Sequence, residues 1–358
     1  MSVSFGVASA DSNKGEDCTT AVVGSGGAPS CFGVFDGHTG KQASAICQST
    51  VCQRLLTDSR GPPLPTAAIE DVFWAVDLEI GQRDLIDGTT ATILWVETEP
   101  PVEGDTPLRE NSSAPLREAP ESGLRCLLAW VGDSTAVALD MRAAHGVPLA
   151  ATRDHNPDST EEQARMNRMQ ASRDDPASAA ADDAALFARA FERAKAIAEQ
   201  RPDGADSRRK CLFMNRSKPT ESSHPFVVAT EDHHAHPCYY DLQMTRSIGD
   251  WLAPDLVLPD PEFLELDTVT SGAFRRVILA SDGLWDVCSH QTAAKVARKH
   301  ETPQEAADAL LAVAKRAYIK ERGLERVGDD TSVVVVDLNP GLVPFEPPAA
   351  GATCCALL

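Results

Sequence analysis

Short apolar segments bounded by turn residues occur along most of the chain and predict a β-rich fold. Each is rich in β-branched or aromatic residues and is flanked by Gly, Asn, Asp or Ser, as is typical of strands. The segments are 3–9, 19–23, 31–35, 89–96, 124–133, 135–140, 261–266, 275–283 and 331–338. Because they follow one another in runs, we expect most strands to pair with near neighbours in antiparallel sheets.

Helical spacing of apolar residues separates these runs. Four helices are predicted, over residues 39–56, 66–84, about 291–300 and 304–321. The apolar faces of the first two comprise Ile46, Thr50, Val51 and Leu55, and Ile69, Phe73, Val76 and Ile80. Strands in runs with helices in pairs, rather than strict βαβ alternation, favour an α+β fold.

A single domain is predicted over residues 1–338, with two insertions that depart from this pattern and a tail that follows it. Residues 98–123 are rich in Pro, Glu and Ser and predict a solvated loop between paired strands. Residues 158–240 are far longer than an ordinary connection. They contain an amphipathic helix with a charged opposite face, whose apolar residues are Leu186, Phe187, Ala190, Phe191, Ala194 and Ile197. Residues 339–358 predict a flexible tail.

Composition narrows the classes of partner. The 358 residues are 42% hydrophobic, enough for a sizeable core, and 33 basic against 53 acidic residues give a net charge of −20. This balance argues against nucleic-acid binding and favours metal cations and basic or neutral proteins. Ten cysteines without a CxxC pair, and no apolar signal segment, predict a reducing, cytoplasmic compartment without a secreted disulfide framework. No apolar run approaches the roughly 20 residues that span a bilayer.

Carboxylates recur where predicted strands end. Asp36 follows an apolar segment in GVFDGHTG; alone, it would be read as a turn former or helix cap. Other strand ends carry Glu16, Asp17, Asp133, Asp282, Asp329 and Asp330. If these ends meet, the carboxylates repel one another, and Mg²⁺ or Mn²⁺ is the natural compensation. Two such ions could activate a water for attack on a phosphate ester, with His38 as the proton donor.

Seven segments together carry a resemblance to a known family. GVFDGHTG, DGTTATILW, AWVGDS, DHNP, MTRSIGDW, ILASDGLWD and GDDTSVVVV occur in the order and character of the metal-dependent protein Ser/Thr phosphatases of the type 2C family. The chain resembles this family everywhere except in its insertions and tail. The resemblance implies an α-β-β-α sandwich of two antiparallel sheets flanked by helix pairs, a centre of two Mg²⁺ or Mn²⁺ ions, and phosphoprotein substrates.

The resemblance also implies roles for single residues. The implied metal ligands are Asp36 as the bridging carboxylate, the Gly37 carbonyl, Asp282 and Asp329. Glu16 and Asp17 match an acidic pair that holds metal-bound waters, and Asp133 and Asp286 match a third, weaker ion site. His38 matches the general acid.

Departures from the family pattern concern phosphate binding. Members commonly carry an Arg at the position of Ser12, and Lys14 is the nearest substitute, offering a point charge instead of a planar fork. Thr135 replaces another frequent Arg. The long insertion falls where the family has a flap beside the active site. We therefore expect residues 158–240 to select or regulate the protein substrate, the alternative being a surface insertion without chemistry.

Three other interpretations compete with a metal-dependent phosphatase. A phosphatase-like scaffold with weak or no catalysis stays open, because the Arg is missing and the insertion is large. A thiol phosphatase is excluded, since no cysteine is followed at the sixth position by an arginine. A metal site in EDHHAHPC, formed by His233, His234, His236 and Cys238, stays open beside a solvent-facing loop.

The last residues, CCALL, match a lipidation pattern. Cys355 satisfies the prenylation signal, the final Leu358 favours geranylgeranyl, and Cys354 could accept palmitate. This pattern predicts membrane association of an otherwise cytoplasmic protein. The lack of upstream basic residues leaves a chance apolar ending as the alternative.

Overall fold

A computed structural model describes residues 3–98, 123–141, 148–174, 180, 185–186, 188–193, 195, 211–214, 226–230, 239–251, 257–266, 275–321 and 323–338. The strands are β1 (Val3–Ala10), β2 (Cys18–Val22), β3 (Ser30–Phe35), β4 (Gly37–His38), β5 (Gly88–Thr89), β6 (Ala91–Thr98), β7 (Leu124–Val131), β8 (Thr135–Asp140), β9 (Pro148–Ala151), β10 (Cys211–Met214), β11 (Phe226–Thr230), β12 (Tyr239–Leu242), β13 (Ile248–Gly249), β14 (Glu262–Leu266), β15 (Arg275–Ala280) and β16 (Thr331–Leu338). The helices are α1 (Gln42–Leu56), α2 (Thr66–Gln82), α3 (Thr160–Asp174), α4 (Asp282–Trp285), α5 (His290–Ala297) and α6 (Pro303–Arg316), which a π-helical turn, Ala317–Glu321, follows. Helical residues at 185–186, 188–193 and 195 are called the insertion helix below.

Two five-stranded antiparallel sheets form the centre of the molecule. The first has the strand order β1-β16-β15-β8-β9 and the second β14-β7-β6-β3-β2. In the first sheet β1 pairs with β16 along its whole length, from Val3 opposite Leu338 to Ala10 opposite Thr331. The predicted α+β class with antiparallel sheets is confirmed.

The two sheets face each other across an apolar layer. Its buried residues come from both sheets and include Phe32, Val34, Leu94, Leu128, Trp130, Ala138, Val277, Leu279, Val334 and Val336. Strands β3, β15 and β16 read as nearly continuous apolar runs because their second faces are covered by helices. The core therefore extends on both sides of each sheet.

A helix pair covers each outer face. Helices α1 and α2 pack on the second sheet through residues that include Val51, Leu55, Ile69, Phe73 and Ile80. Helices α5 and α6 pack on the first sheet in the same way. Helix α6 begins at a capping box between Thr302 and Glu305, with Pro303 in the first turn. The predicted α-β-β-α layering is confirmed.

Residues of the long insertion form a small core together with α2 and the segment that follows the insertion. Met166, Met169, Ala190 and Leu242 are buried together with Trp74 of α2. Within the predicted amphipathic stripe, Ala190 is buried and Leu186 is partly buried. Phe191 is 56% exposed, so its assignment to the apolar face is wrong. The helix instead turns Arg189, Ala190 and Arg193 towards the core, while Phe187, Ala194 and Ile197 lie outside the described residues.

Cysteine pairing was not anticipated from composition. Cys31 of β3 and Cys52 of α1 form a disulfide, while Cys18, Cys47, Cys126 and Cys288 are buried thiols. In the part of the chain that the structure describes, no helix is both long and apolar enough to cross a membrane. The predicted loop interior, 99–122, and the predicted tail lie outside the described residues.

Candidate active site

Carboxylates from separate strand ends meet at one end of the sandwich. Asp36 directly follows β3, Asp282 begins α4 just after β15, and Asp329 lies just before β16. The Asp36 carboxyl lies within hydrogen-bonding reach of those of Asp17 and Asp282 and interacts electrostatically with Asp133 and Asp329. Asp286, which follows α4, acts on Asp133 and Asp282. The structure therefore brings the predicted aspartates together.

Burial and mutual repulsion make this cluster costly to ionise. Burial raises the pKa of Asp36 well above its ordinary value, and repulsion from Asp282 raises it further. The pKa of Asp282 is also well above the ordinary range, through burial and the charge of Asp133. Burial, with Asp154 beside it, raises the pKa of Asp133 to about 7, and burial raises that of Asp17 to about 6. A positive charge at this position would lower the pKa of all four carboxyl groups and so reduce the cost of ionising them.

Two orphaned oxygens show that the cluster fits a divalent cation. Asp17 Oδ1 and Asp133 Oδ1 are buried and have no hydrogen-bond partner among the described residues. Such atoms are expensive in a protein interior unless a donor or a cation meets them. Because the donor set consists of carboxylate oxygens, it suits Mg²⁺ or Mn²⁺ better than a soft metal.

The DGTT segment fixes the backbone around Asp36. Thr90 N donates to Asp36 O at 2.9 Å, and Thr89 Oγ1 donates to the same carbonyl at 3.0 Å. Asp36 N in turn donates to Thr90 Oγ1 at 3.2 Å. At Gly37 an added Cβ would come within 2.6 Å of Glu16 O, so this close approach of two segments requires glycine.

His38 lies beside the cluster and forms a pair that the sequence did not assign. Its Nε2 is 2.9 Å from Asp250 Oδ1 and 2.8 Å from Asp250 Oδ2, and Ser247 Oγ donates to the same carboxylate. Burial alone would lower the pKa of His38, but Asp250 outweighs it and the net direction is upward. His38 Nδ1 is buried without a hydrogen-bond partner in the described part of the chain, which leaves it as the ring nitrogen for another group.

A three-stranded miniature sheet creates the histidine–aspartate pair. Strand β5 lies between β4 and β13, with Gly88 opposite both His38 and Gly249. A Cβ at Gly88 would be 2.4 Å from Asp250 Oδ2 and 2.5 Å from His38 Nε2. The contact between His38 and Asp250 therefore requires glycine at position 88.

The loop before β2 is anchored by Asp330. The carboxylate of Asp330 accepts from Ser12 N and Glu16 N, both at 2.5 Å. Lys14 Nζ, on the same loop, lies 3.0 Å from Asp329 Oδ1, and Asp36 and Asp282 also act on its charge. Lys14 therefore lies at the cluster, as a phosphate-binding candidate requires, and it also neutralises Asp329.

The DHNP segment supports the turn that carries Asp133. His155 N donates to Gly132 O at 2.9 Å, and Gly132 N donates to His155 Nδ1 at 3.2 Å. Asp154 Oδ1 accepts from Thr135 Oγ1 at 2.7 Å, so Thr135 orients a carboxylate close to Asp133. Asp154 was not among the predicted site residues, although its segment was recognised.

A second polar cluster is an ion-pair network. His155, Glu162 and Glu262 have ligand atoms within 4.8 Å of one another. Glu162 is already paired with Arg165 and Arg246, and both arginines lower its pKa against the effect of burial. Two guanidinium groups already supply the positive charge, so this cluster is a structural support. The predicted ligands in 231–238, and the lipidation candidates Cys354 and Cys355, lie outside the described residues.

Comparisons with known proteins found a family model and relatives that match most of the chain. A family model described as "Protein phosphatase 2C" matches residues 11–174 and 227–322. The chain is 26% identical over 280 residues to "Probable protein phosphatase 2C 59" of Arabidopsis thaliana, covering 78% of this chain and 63% of that protein. It is 26% identical over 308 residues to "Probable protein phosphatase 2C 45" of Oryza sativa subsp. japonica, covering 85% and 75% of the two chains.

A solved structure shares the fold. The crystal structure of serine-threonine phosphatase 2C from Toxoplasma gondii superposes with a TM-score of 0.60 at 18% identity, covering 93% of this chain and 94% of that one. At this identity the likeness concerns the fold alone.

Proposed function

The chain belongs to the protein phosphatase 2C family, and on that premise we propose that it hydrolyses phosphoserine and phosphothreonine esters in proteins with the help of divalent cations. The observation that carries the proposal is the buried carboxylate cluster with its two unpartnered oxygens. A chain without metal chemistry would gain stability by losing these charges, because each raised pKa reflects a cost of ionisation in the folded state.

The residues proposed to hold two Mg²⁺ or Mn²⁺ ions are Asp36, Gly37 through its carbonyl, Asp282 and Asp329. Glu16 and Asp17 would orient water in the site, and Asp133 with Asp286 would take part in binding a third, weaker ion. When bound, such ions supply a water of lowered pKa and neutralise charge on the phosphate.

His38 is proposed to supply the proton that the leaving oxygen needs. A serine or threonine alkoxide is a poor leaving group, so a positioned acid contributes strongly to its departure. Asp250 holds Nε2 of the ring, and Nδ1 carries the proton towards substrate. The Lys14 ammonium would hold the substrate phosphate as a point charge, in place of the planar fork that an arginine provides.

The test measures cation-dependent turnover of p-nitrophenyl phosphate and of a phosphothreonine peptide. We expect activity with Mn²⁺ or Mg²⁺, none after chelation, and loss of nearly all turnover in Asp36→Asn. The matched control is Asp58→Asn, which removes a carboxylate that pairs with Arg60 away from the cluster. Absence of turnover with both substrates at saturating cation would instead support the alternative of a non-catalytic scaffold that binds partner proteins.

A further inference from the structure

Two arginines of the insertion helix dock on α2, one helical turn apart. Arg189 lies over the Trp74 ring at 4.4 Å from its centroid and pairs with Glu70 and Asp71. Arg193 lies over the Trp251 ring at 4.0 Å and pairs with Asp77. Residues four apart share one helix face, so both arginines belong to a single docking surface.

Arg193 is the more deeply buried of the two and makes more specific contacts. Its guanidinium forms a bidentate pair with Asp77, with Nε to Oδ2 and Nη2 to Oδ1 both at 2.5 Å. It also donates to Gly249 O at 2.9 Å and to Val257 O at 3.2 Å. Only a planar fork with several donors can satisfy three acceptors in different directions.

These contacts converge on the turn that carries Asp250. Gly249 N donates to Asp77 Oδ1 at 2.8 Å, and Gly249 O accepts from Arg193. The Arg193–Asp77 ion pair therefore binds both the backbone N–H and the backbone carbonyl of Gly249. The turn has left-handed backbone angles, with φ of +101° at Gly249 and +55° at Asp250. A non-glycine residue adopts this conformation at a cost and needs surrounding structure to hold it.

We propose that Arg193, acting with Asp77, is a positioning residue for the general acid: it fixes the Gly249–Asp250 turn and thereby the contact between Asp250 and His38. The inference rests on the proposed function, in which His38 protonates the leaving oxygen. The family model matches up to residue 174 and resumes at 227, so Arg193 comes from a segment that this model does not match. The insertion is thus part of the catalytic apparatus as well as a candidate for substrate selection.

The experiment uses the dependence of rate on the leaving group. Nitrophenolate leaves readily without a proton, whereas phenolate, with a conjugate-acid pKa of about 10 as in tyrosine, needs help from an acid. Turnover of p-nitrophenyl phosphate and of phenyl phosphate is measured on the full-length chain with saturating Mn²⁺. The quantity compared is the ratio of the two kcat/KM values, which a general loss of folded or metal-loaded protein does not change.

The reference variant is His38→Gln, which removes the acid. We expect it to lose about 100-fold or more on phenyl phosphate and much less on p-nitrophenyl phosphate. Arg193→Met should shift the ratio in the same direction by about tenfold. Arg193→Lys keeps the charge beside Asp77 but cannot reach all three acceptors, so it should show a smaller shift and serves if the methionine variant does not fold.

Arg189→Met is the matched control. It removes the same kind of stacking and pairing from the same helix face, but its carboxylate partners are Glu70 and Asp71 rather than Asp77. We expect its rate ratio to equal that of the unmodified chain. A combined His38→Gln, Arg193→Met variant should show no further shift beyond His38→Gln alone, because a residue that acts through His38 has nothing left to position.

The outcomes separate the two proposals. If His38→Gln leaves the ratio unchanged, the assignment of the general acid fails, and the positioning role fails with it. If His38→Gln shifts the ratio but neither Arg193 variant does, or if Arg189→Met shifts it equally, the positioning role alone is overturned. An additive shift in the combined variant also overturns it.

Discussion

Removal of divalent cations should reverse the usual preference of a protein for neutral pH. In the cation-free folded state, Asp133 and Asp17 hold protons up to about pH 7 and about pH 6, against an ordinary value of 3.8. Between the ordinary pKa of 3.8 and these raised values, the native state binds more protons than the unfolded chain. The free energy of unfolding therefore falls as pH rises through this window, and the cation-free protein should be more stable near pH 5.5 than near pH 7.5.

The magnitude follows from the difference between folded and unfolded pKa values. Each pKa unit corresponds to about 1.4 kcal/mol. For Asp133, with a folded pKa of about 7 against 3.8, keeping the carboxylate ionised above neutrality costs on the order of 4 kcal/mol. Replacement by asparagine removes that cost. Bound cations should remove most of it as well, because they favour the ionised form.

Urea unfolding of dialysed, chelator-treated protein at about pH 5.5 and about pH 7.5 measures this effect. The comparison between wild type and Asp133→Asn measures the contribution of this carboxylate together with the effect of its charge on the pKa values of Asp36 and Asp282. Asp58→Asn is the control, because hydrogen bonds from Arg60 lower the pKa of Asp58 to about 2, outside the window. The measured quantity is the change in the free energy of unfolding from about pH 5.5 to about pH 7.5 without cations. The same change in wild type and in Asp133→Asn would refute the reasoning.

Three further changes give separate tests. Asp282→Asn should lower turnover by at least about 100-fold, since losing a proposed direct ligand should exceed the effect of losing a supporting group. The cation-free variant should nevertheless unfold at a urea concentration equal to or higher than that of wild type. Gly88→Ala should lower turnover by about 100-fold, because the Cβ of the new alanine separates His38 from Asp250. The protein should remain folded, with only a modest loss of thermal stability. Lys14→Met should raise KM for a phosphopeptide several-fold with little change in kcat, and Lys14→Arg should restore KM.

Each of these has a result that would contradict it. For Asp282→Asn it is a lower urea midpoint than wild type without cation, which would mean that the carboxylate stabilises the fold. For Gly88→Ala it is full activity in a folded protein. For Lys14→Met it is an unchanged KM, which would leave Lys14 as a counter-ion of Asp329 only.

Local pattern was sufficient to predict the α+β class and the carboxylates at strand ends, whereas the α-β-β-α layering was implied by the resemblance to the phosphatase family. The long strands β6, β7 and β16 consist of β-branched and apolar residues bounded by turn residues, so their limits agree with the structure within about two residues. The carboxylates were found because strand ends recur at one edge of a sandwich. Asp36, Asp282 and Asp329 each stand directly beside such an end.

Contacts that depend on tertiary structure were beyond pattern analysis. Strands β4, β5 and β13 have two residues each, too few to show a period, yet they bring Asp250 to His38. Arg193 belongs to the charged set of an amphipathic helix, which normally faces water. Arg193 is buried because it pairs with Asp77 and stacks on Trp251, which belong to other parts of the chain. No signal in the sequence around Arg193 reveals these partners.

The pairing of the first long strand with the last has a consequence for biosynthesis. β1 ends at Ala10 and its neighbour in the sheet, β16, begins at Thr331, so more than three hundred residues must be translated before the two can join. At roughly 5–20 residues per second, the amino-terminal strand waits on the order of half a minute on the ribosome. Asp329 arrives with that last segment, so a nascent chain lacks the complete carboxylate cluster until synthesis of the domain is nearly finished.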